Sequence, residues 1–497
     1  MDLNISRSRW RKRSQRSKPL LLLFIFVAIA FLLFASSSSK PFKPVLPFSQ
    51  TPQCTVEAPD LSGKRFLWYA PHSGFSNQLS ELKNAILIAG ILNRTLIVPP
   101  VLDHHAVALG SCPKFRVVSP SDLRAKVWDH IMELIRDRRY VSMADIVDLS
   151  SISYSSVQTI DFRVFTSLWC GLNVDNSCHG ELCCSMTNHG SSLGSFDRCR
   201  SLLSGLQGSI DGCTYAVEDD CRTTVWTYQQ NNDGLLDSFQ PDKELQRKKN
   251  ISYVRKRRDV YKALGPGSKA EAATILAFGT VFSGPYKGSE LYIDIHEAPS
   301  DSRIQSLHNK IKHLPFTPEI TDAGKEFAIN KIKVPFLCAQ LRLLDGQFKN
   351  HWKTTFSALE QKIKSIRLEA ESKLTSPLNI FIMTDLPRSN WTGTYLADLA
   401  ENSDSYKLYT LNETDEIVEQ TAKRLMKAEH AMRSSFRLKS NSETLKNRHC
   451  DTGRLPDILL FIEKTICSCA SLGFVGTAGS TIAESIELMR QHNVCKH

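Results

Sequence analysis

The sequence predicts an α/β protein with two Rossmann-like lobes facing each other across a cleft. Three observations carry that prediction. Short apolar runs alternate with helical patterns from residue 64, and the alternation returns from residue 334. An irregular, cysteine-rich middle separates the two alternating regions. Finally, 497 residues of 42% apolar composition can bury a large core and are long for one ordinary domain.

The elements follow in chain order. Residues 1–18 are a basic tail with seven Lys and Arg side chains against Asp2. That tail holds +6 of the net +11, so only +5 remains for the rest, which removes the case for a nucleic-acid partner. Residues 19–35 carry no charge. As a helix they would span about 25 Å, near the roughly 27 Å of an early secretory bilayer. Basic residues lie only on the N-terminal side, which predicts a signal anchor with a cytosolic tail and a lumenal body. A cleaved signal peptide is the rival reading, because Ala35-Ser36-Ser37 offers small residues at the exit. Residues 36–63, with four consecutive serines, read as a stem.

The first lobe spans 64–330. It opens with a strand over 64–70, a helix over 77–92 and a strand over 95–98, a βαβ start. Its middle carries Cys170, Cys178, Cys183, Cys184, Cys199, Cys213 and Cys221, with no paired C-x-x-C spacing. An oxidising compartment then predicts a disulfide-braced insertion over 170–221 instead of a zinc cluster, with connectivity open. The polar stretch 231–237 and the basic runs 247–249 and 255–258 read as a solvated face.

The second lobe spans 331–497. It alternates strand 334–342, helix 351–373, strand 378–385, strand 407–411, helix 413–430, helix 456–470, strand 472–475 and helix 480–491. Asn93, Asn250, Asn390 and Asn412 each begin an Asn-x-Ser/Thr sequon beyond the anchor.

In open α/β sheets ligands gather outside the carboxyl ends of strands. Four such ends are chemically unusual. In "HSGFSNQ", after the first strand, Gly74 allows close backbone approach and Ser76 can cap the helix whose dipole favours an anion. In "CAQLRLLDG" the permanently charged Arg342 ends an apolar strand and needs an anion, either the carboxylate of Asp345 or a phosphate. "IFIMTD" ends in Thr384 and Asp385, which suit a sugar or a base, although Asp385 could equally cap a turn. In "GFVGTAGSTIAES" the loop with Gly476, Thr477, Gly479, Ser480 and Thr481 offers amides and hydroxyls to a diphosphate ahead of a helix. There Thr481-x-x-Glu484 also reads as a capping box. No D-x-D pair occurs in the chain, so metal-independent chemistry is expected, with no metal site and no cofactor.

These four segments, in this order behind a signal anchor, resemble the plant-type GDP-fucose protein O-fucosyltransferase-like family, over about residues 64–490. The resemblance implies a GT-B-like architecture and a C-terminal lobe that holds the nucleotide. It places Gly74, Phe75, Ser76 and Asn77 against the sugar diphosphate, and Arg342 on the phosphates beside Gln340 and Leu341. Asp385 would meet the nucleoside, and Ser480 with Thr481 would close over the phosphate. Gln340 stands where that family has histidine, and some relatives use UDP-rhamnose on cell-wall polysaccharide.

The resulting expectation is a single-pass type II Golgi membrane glycosyltransferase. It would move fucose from GDP-fucose to a protein or glycan hydroxyl by one inverting, metal-independent displacement. Arg342 would stabilise the leaving diphosphate, with His72 or Asp345 as the base. The alternatives are a rhamnosyl or other hexosyl transferase and an inactive lumenal glycan-binding protein.

Overall fold

The computed structural model describes residues 63–104, 106–107, 118–153, 157–170, 178–179, 182–183, 193–205, 213–219, 224–228, 238–239, 255–281, 301–333, 335–344, 348–369, 377–434 and 455–495. The tail, the apolar run and the stem therefore lie outside the described residues, as do the stretches 231–237 and 247–249, Asn250 and Asp345. Among the described residues no helix is long and apolar enough to cross a membrane.

The first sheet holds β1 (Phe66–Trp68), β2 (Thr95–Val98), β3 (Thr159–Asp161), β4 (Thr214–Val217) and β5 (Ile275–Phe278). All its pairings are parallel, in the order β3-β2-β1-β5-β4. Parallel strands covered on both faces lose the apolar/polar alternation of half-exposed ones, and β1 and β2 are buried throughout. Leu67 and Tyr69 enter one apolar cluster while Phe66 and Trp68 enter the cluster on the opposite face.

The middle region is more regular than the sequence suggested. It supplies β3, β4 and β5, and β4 lies inside the stretch expected to be an insertion. Parallel strands of three or four residues leave too short a pattern to read without their partners. Cys170 and Cys199 are bridged nearby, at Cα–Cα 5.6 Å, and Cys213 is also disulfide-bonded.

The second sheet holds β6 (Leu337–Leu341), β7 (Leu378–Thr384), β8 (Tyr406–Tyr409) and β9 (Gly473–Gly476). It is parallel in the order β8-β7-β6-β9. Alternation along β6 sends Leu337, Ala339 and Leu341 into an outer core. Cys338 points the other way, into the largest core. There it is bridged to Cys467 on α6 (Ile458–Ser468), 129 residues later.

That largest core draws from both sheets: Leu67, Leu96 and Phe278 from the first, Cys338, Phe381 and Met383 from the second. Residues 52–497 accordingly form one compact unit. Between the sheets lie α1 (Phe75–Leu92) and α6. Phe75 of α1 packs its ring 4.3 Å from that of Phe461 of α6. Burial of a side chain of this size contributes about 1.5–3 kcal/mol.

Two expected caps are absent. α1 begins at Phe75, so Ser76 is inside the first turn and Gly74 is the N-cap. A second helix, α7 (Thr481–Gln491), has Ser480 as N-cap with no side-chain cap bond, so the Thr481–Glu484 box does not form. Gly479, at φ +71°, reverses the chain one residue earlier than the box requires.

Candidate active site

In the second sheet the chain winds outward from β6 to β8 and then adds β9 on the other side of β6; in the first it winds outward from β1 to β3, then passes to the far edge, β4, and returns inward to β5 beside β1. The switch falls between β1 and β5 in the first sheet and between β6 and β9 in the second. Loops leave the carboxyl ends of adjacent strands in opposite directions there and open a crevice. Three of the four motifs read from sequence sit at these two places, and the fourth, "IFIMTD", ends β7 on the other side of β6.

The crevice in the second sheet is built from residues 340–344 and 476–481. The Thr477 amide donates to the Gln340 carbonyl at 3.0 Å, carrying the β6–β9 ladder one residue past Gly476. A Cβ on Gly476 would meet that of Ala483 at 2.5 Å, so glycine lets α7 approach the strand end. The Arg342 amide donates to Thr477 Oγ1 at 2.9 Å, and its guanidinium carbon lies 5.7 Å from the centre of the Phe348 ring. Two buried polar atoms here have no hydrogen-bond partner: Gln340 Oε1, on a residue 3% exposed, and Ser480 Oγ, on one 1% exposed. Orphaned polar atoms at a strand end ask for a ligand.

The remaining second-sheet candidates have different tasks. Asp385 accepts the Leu343 amide at 2.7 Å and the Leu344 amide at 3.1 Å, one on each carboxylate oxygen. It therefore shapes the turn that carries Arg342 instead of offering both oxygens to a nucleoside. Thr384 Oγ1 accepts from the Leu386 amide at 3.1 Å. Leu341 is fully buried in the outer core, and Thr481 is exposed on the first turn of α7.

The loop after β1 is locked from below. His72 is fully buried; its amide donates to Glu81 Oε2 at 2.9 Å, and its Nδ1 lies 3.1 Å from both oxygens of that buried carboxylate. Thr280 Oγ1 donates to Glu81 Oε1 at 2.6 Å. His72 thus anchors the loop from beneath and is not presented to an acceptor, which corrects its reading as a base. Gln78 ties this loop to the one after β2. Its Nε2 donates to the Ser73 and Leu102 carbonyls at 2.7 and 2.9 Å, and its Oε1 accepts the Leu102 amide at 2.9 Å. Gly74, Ser76 and Asn77 remain partly exposed on the rim, and Ser76 Oγ has no partner.

Two residues of α6 were missed in the sequence. Asp457, in left-handed backbone at φ +56°, has an Oδ2 without a hydrogen-bond partner. Burial and then Asp103 push its carboxyl up to about 6, while Lys464 and Arg342 act the other way. Lys464 is fully buried, its Nζ makes no hydrogen bond, and it lies 5.4 Å from the Phe75 ring and 5.6 Å from Phe316. Burial, then Lys83, lower its amine to about 7. Seven residues apart, the two share a helix face. The Glu463-Lys464 pair directly after the apolar run from Ile458 to Ile462 was the available signal.

Asn93, Asn390 and Asn412 are all exposed, so each sequon there is open to solvent.

No family model matches the chain. It resembles crystal structures of POFUT1 with GDP (TM-score 0.37, 12% identity) and with GDP-fucose (TM-score 0.37, 11%). Both likenesses cover 86% of this chain and 94% of the other. It is 56% identical over 451 residues to O-fucosyltransferase 30 of Arabidopsis thaliana, covering 90% of this chain and 87% of that protein. At that identity and coverage the chain belongs to the O-fucosyltransferase family of glycosyltransferases.

Proposed function

We propose that the protein transfers fucose from GDP-fucose to a hydroxyl of a protein or glycan, by one in-line displacement with inversion and without a metal ion. The observation that carries this reading is the crevice between β6 and β9, where Arg342 meets the uncommitted Gln340 Oε1, the uncommitted Ser480 Oγ and the N-terminus of α7. As the glycosidic bond breaks, negative charge grows on the diphosphate, and a guanidinium with a helix N-terminus stabilises it most at that moment. The name of the Arabidopsis relative supports fucose as the sugar.

On this reading the two sheets are the two lobes of a GT-B-like enzyme, with the nucleotide on the second. The basic tail and apolar run support a type II anchor in the Golgi membrane, with the body in the lumen. Disulfides among the described cysteines suit that oxidising address. Gln340 in place of the family's histidine favours one further reading, a rhamnosyl or other hexosyl donor.

Release of GDP from GDP-fucose by the purified protein, with a panel of glycans and glycopeptides, tests the proposal. Turnover with GDP-fucose supports it. Thermal stabilisation by UDP-rhamnose or UDP-galactose but not by GDP-fucose would overturn the choice of donor, and stabilisation by GDP-fucose without any GDP release would leave a binding protein.

A further inference from the structure

A displacement with inversion puts the acceptor hydroxyl, and the group that takes its proton, on the face of the sugar opposite the leaving diphosphate. With Arg342 on the diphosphate, that face belongs to the loops after β1 and β2. Among the described residues of these loops the candidates are His72, Asp103 and His104. His72 is fully buried and locked to Glu81. Both oxygens of Asp103 are taken by Arg139, at 2.6 and 2.8 Å. The third is His104, which is partly exposed.

We propose that His104 is the catalytic base that deprotonates the acceptor, an assignment that rests on the fucose-transfer reading above. The Nδ1–Cε1 edge of its ring lies over Gly74: a Cβ there would come within 2.4 Å of Nδ1 and 2.6 Å of Cε1. The glycine of the "HSGFSNQ" loop therefore makes room for an imidazole, and it joins that ring to the rim carrying Ser76 and Asn77. The backbone just ahead of His104 is also held in place. Leu102 is fixed through both its amide and its carbonyl by Gln78, and the Asp103 amide donates to His130 Nε2 at 3.3 Å. Asp103 and Arg342 both act electrostatically on Asp457 beside α6, so the loop bearing His104 and the arginine share that carboxylate as a neighbour.

In the step itself, the acceptor O–H proton passes to an imidazole nitrogen and the acceptor oxygen bonds to the anomeric carbon. The bond from that carbon to the β-phosphate oxygen breaks, and its electron pair stays with GDP. The imidazolium then returns its proton to solvent.

With water as the acceptor, hydrolysis of GDP-fucose gives the test. His104→Ala and His104→Gln should each lower GDP release about 10²–10⁴-fold, with GDP-fucose affinity and melting temperature close to wild type. Sodium azide, a nucleophile with no proton to lose, should restore release in His104→Ala at least tenfold with formation of fucosyl azide, and should not do so in Arg342→Ala. A folded His104→Ala protein within threefold of wild type, or one impaired but not rescued by azide, overturns the assignment while leaving fucose transfer intact. Absence of GDP release from the wild-type protein overturns both.

Discussion

The two switch points solve the same problem in opposite ways. In the first sheet, buried side chains reach across to backbone: Gln78 joins two loops with three hydrogen bonds, and Glu81 holds an amide, an imidazole and a hydroxyl. In the second, the ladder itself continues past the strands, and one carboxylate, Asp385, collects two amides. The first arrangement spends Gln78 and Glu81 on rigidity and leaves the small rim hydroxyls of Ser73 and Ser76 without a hydrogen-bond partner among its described residues. The second leaves Gln340 Oε1 and Ser480 Oγ unspent, and it is there that a ligand has something to gain. A polar motif at a strand end is thus read best by asking which of its atoms are already committed.

The contrast predicts different kinds of damage on the two sides. The largest effect belongs to Arg342. Arg342→Ala should lower turnover about 10²–10³-fold with little change in melting temperature, as expected for a donor to a developing anion. Arg342→Lys should be nearly as poor, because an ammonium cannot present two parallel donors. Steady-state rates and melting curves on the same preparations decide this, and a well-folded Arg342→Ala protein with near-normal transfer would break the comparison.

For the residues that tie the loops together on the first side, the loss should appear as stability. Gln78→Leu strands the Leu102 amide and two carbonyls in a buried place, at about 1–3 kcal/mol for each group left unsatisfied. Denaturant titration should show that loss. A variant of unchanged stability but lower transfer would move Gln78 to the chemical side of the comparison.

Lys464 sharpens it further, as a buried cation between the two sides. Its folded value, about 7, lies below the 10.5 of an exposed lysine, so burial of the charge costs stability in full below about pH 7. That cost fades as pH rises toward 10.5, because the unfolded chain then binds the extra proton. Lys464→Met should therefore raise the melting temperature, by more at pH 6 than at pH 9. An equal gain at both values would mean that an anion already compensates the amine.

The smallest effect is expected from chelation. With no D-x-D pair in the chain, excess EDTA should leave transfer unchanged. Loss restored by manganese would replace Arg342 with a cation as the main partner of the diphosphate.

Much of this architecture was legible in the sequence. All four strands of the second sheet and the opening βαβ unit came from periodicity, with bounds shifted by one to three residues. β4 and β5 did not, because Ile275–Phe278 becomes a strand only beside β1 and Thr214–Val217 only beside Ile275–Phe278, both far away in sequence. At the site, Arg342 and the 476–481 loop were legible since a charge or a glycine cluster after an apolar strand is locally odd. The role of Asp385 was not, as the amides it accepts lie 41 and 42 residues earlier. Asp457 and Lys464 escaped because a helical pattern assigns charged residues to solvent, and only packing of α6 against Phe75 and Phe316 turns that face inward.

The position of β9 bears on how the protein comes into being. β6, the strand that ends just before Arg342, has its neighbour on one side supplied by the next strand in sequence and on the other by β9, the last of the described strands. During synthesis the outer edge of β6 therefore stays open until Gly473–Gly476 has emerged, although β7 and β8 are already present. A chain cut short before residue 473 can assemble most of the second sheet and still lack one wall of the crevice. On the proposed reading, capacity to hold the donor is thus acquired only once β9 has joined β6, later than the rest of the second sheet.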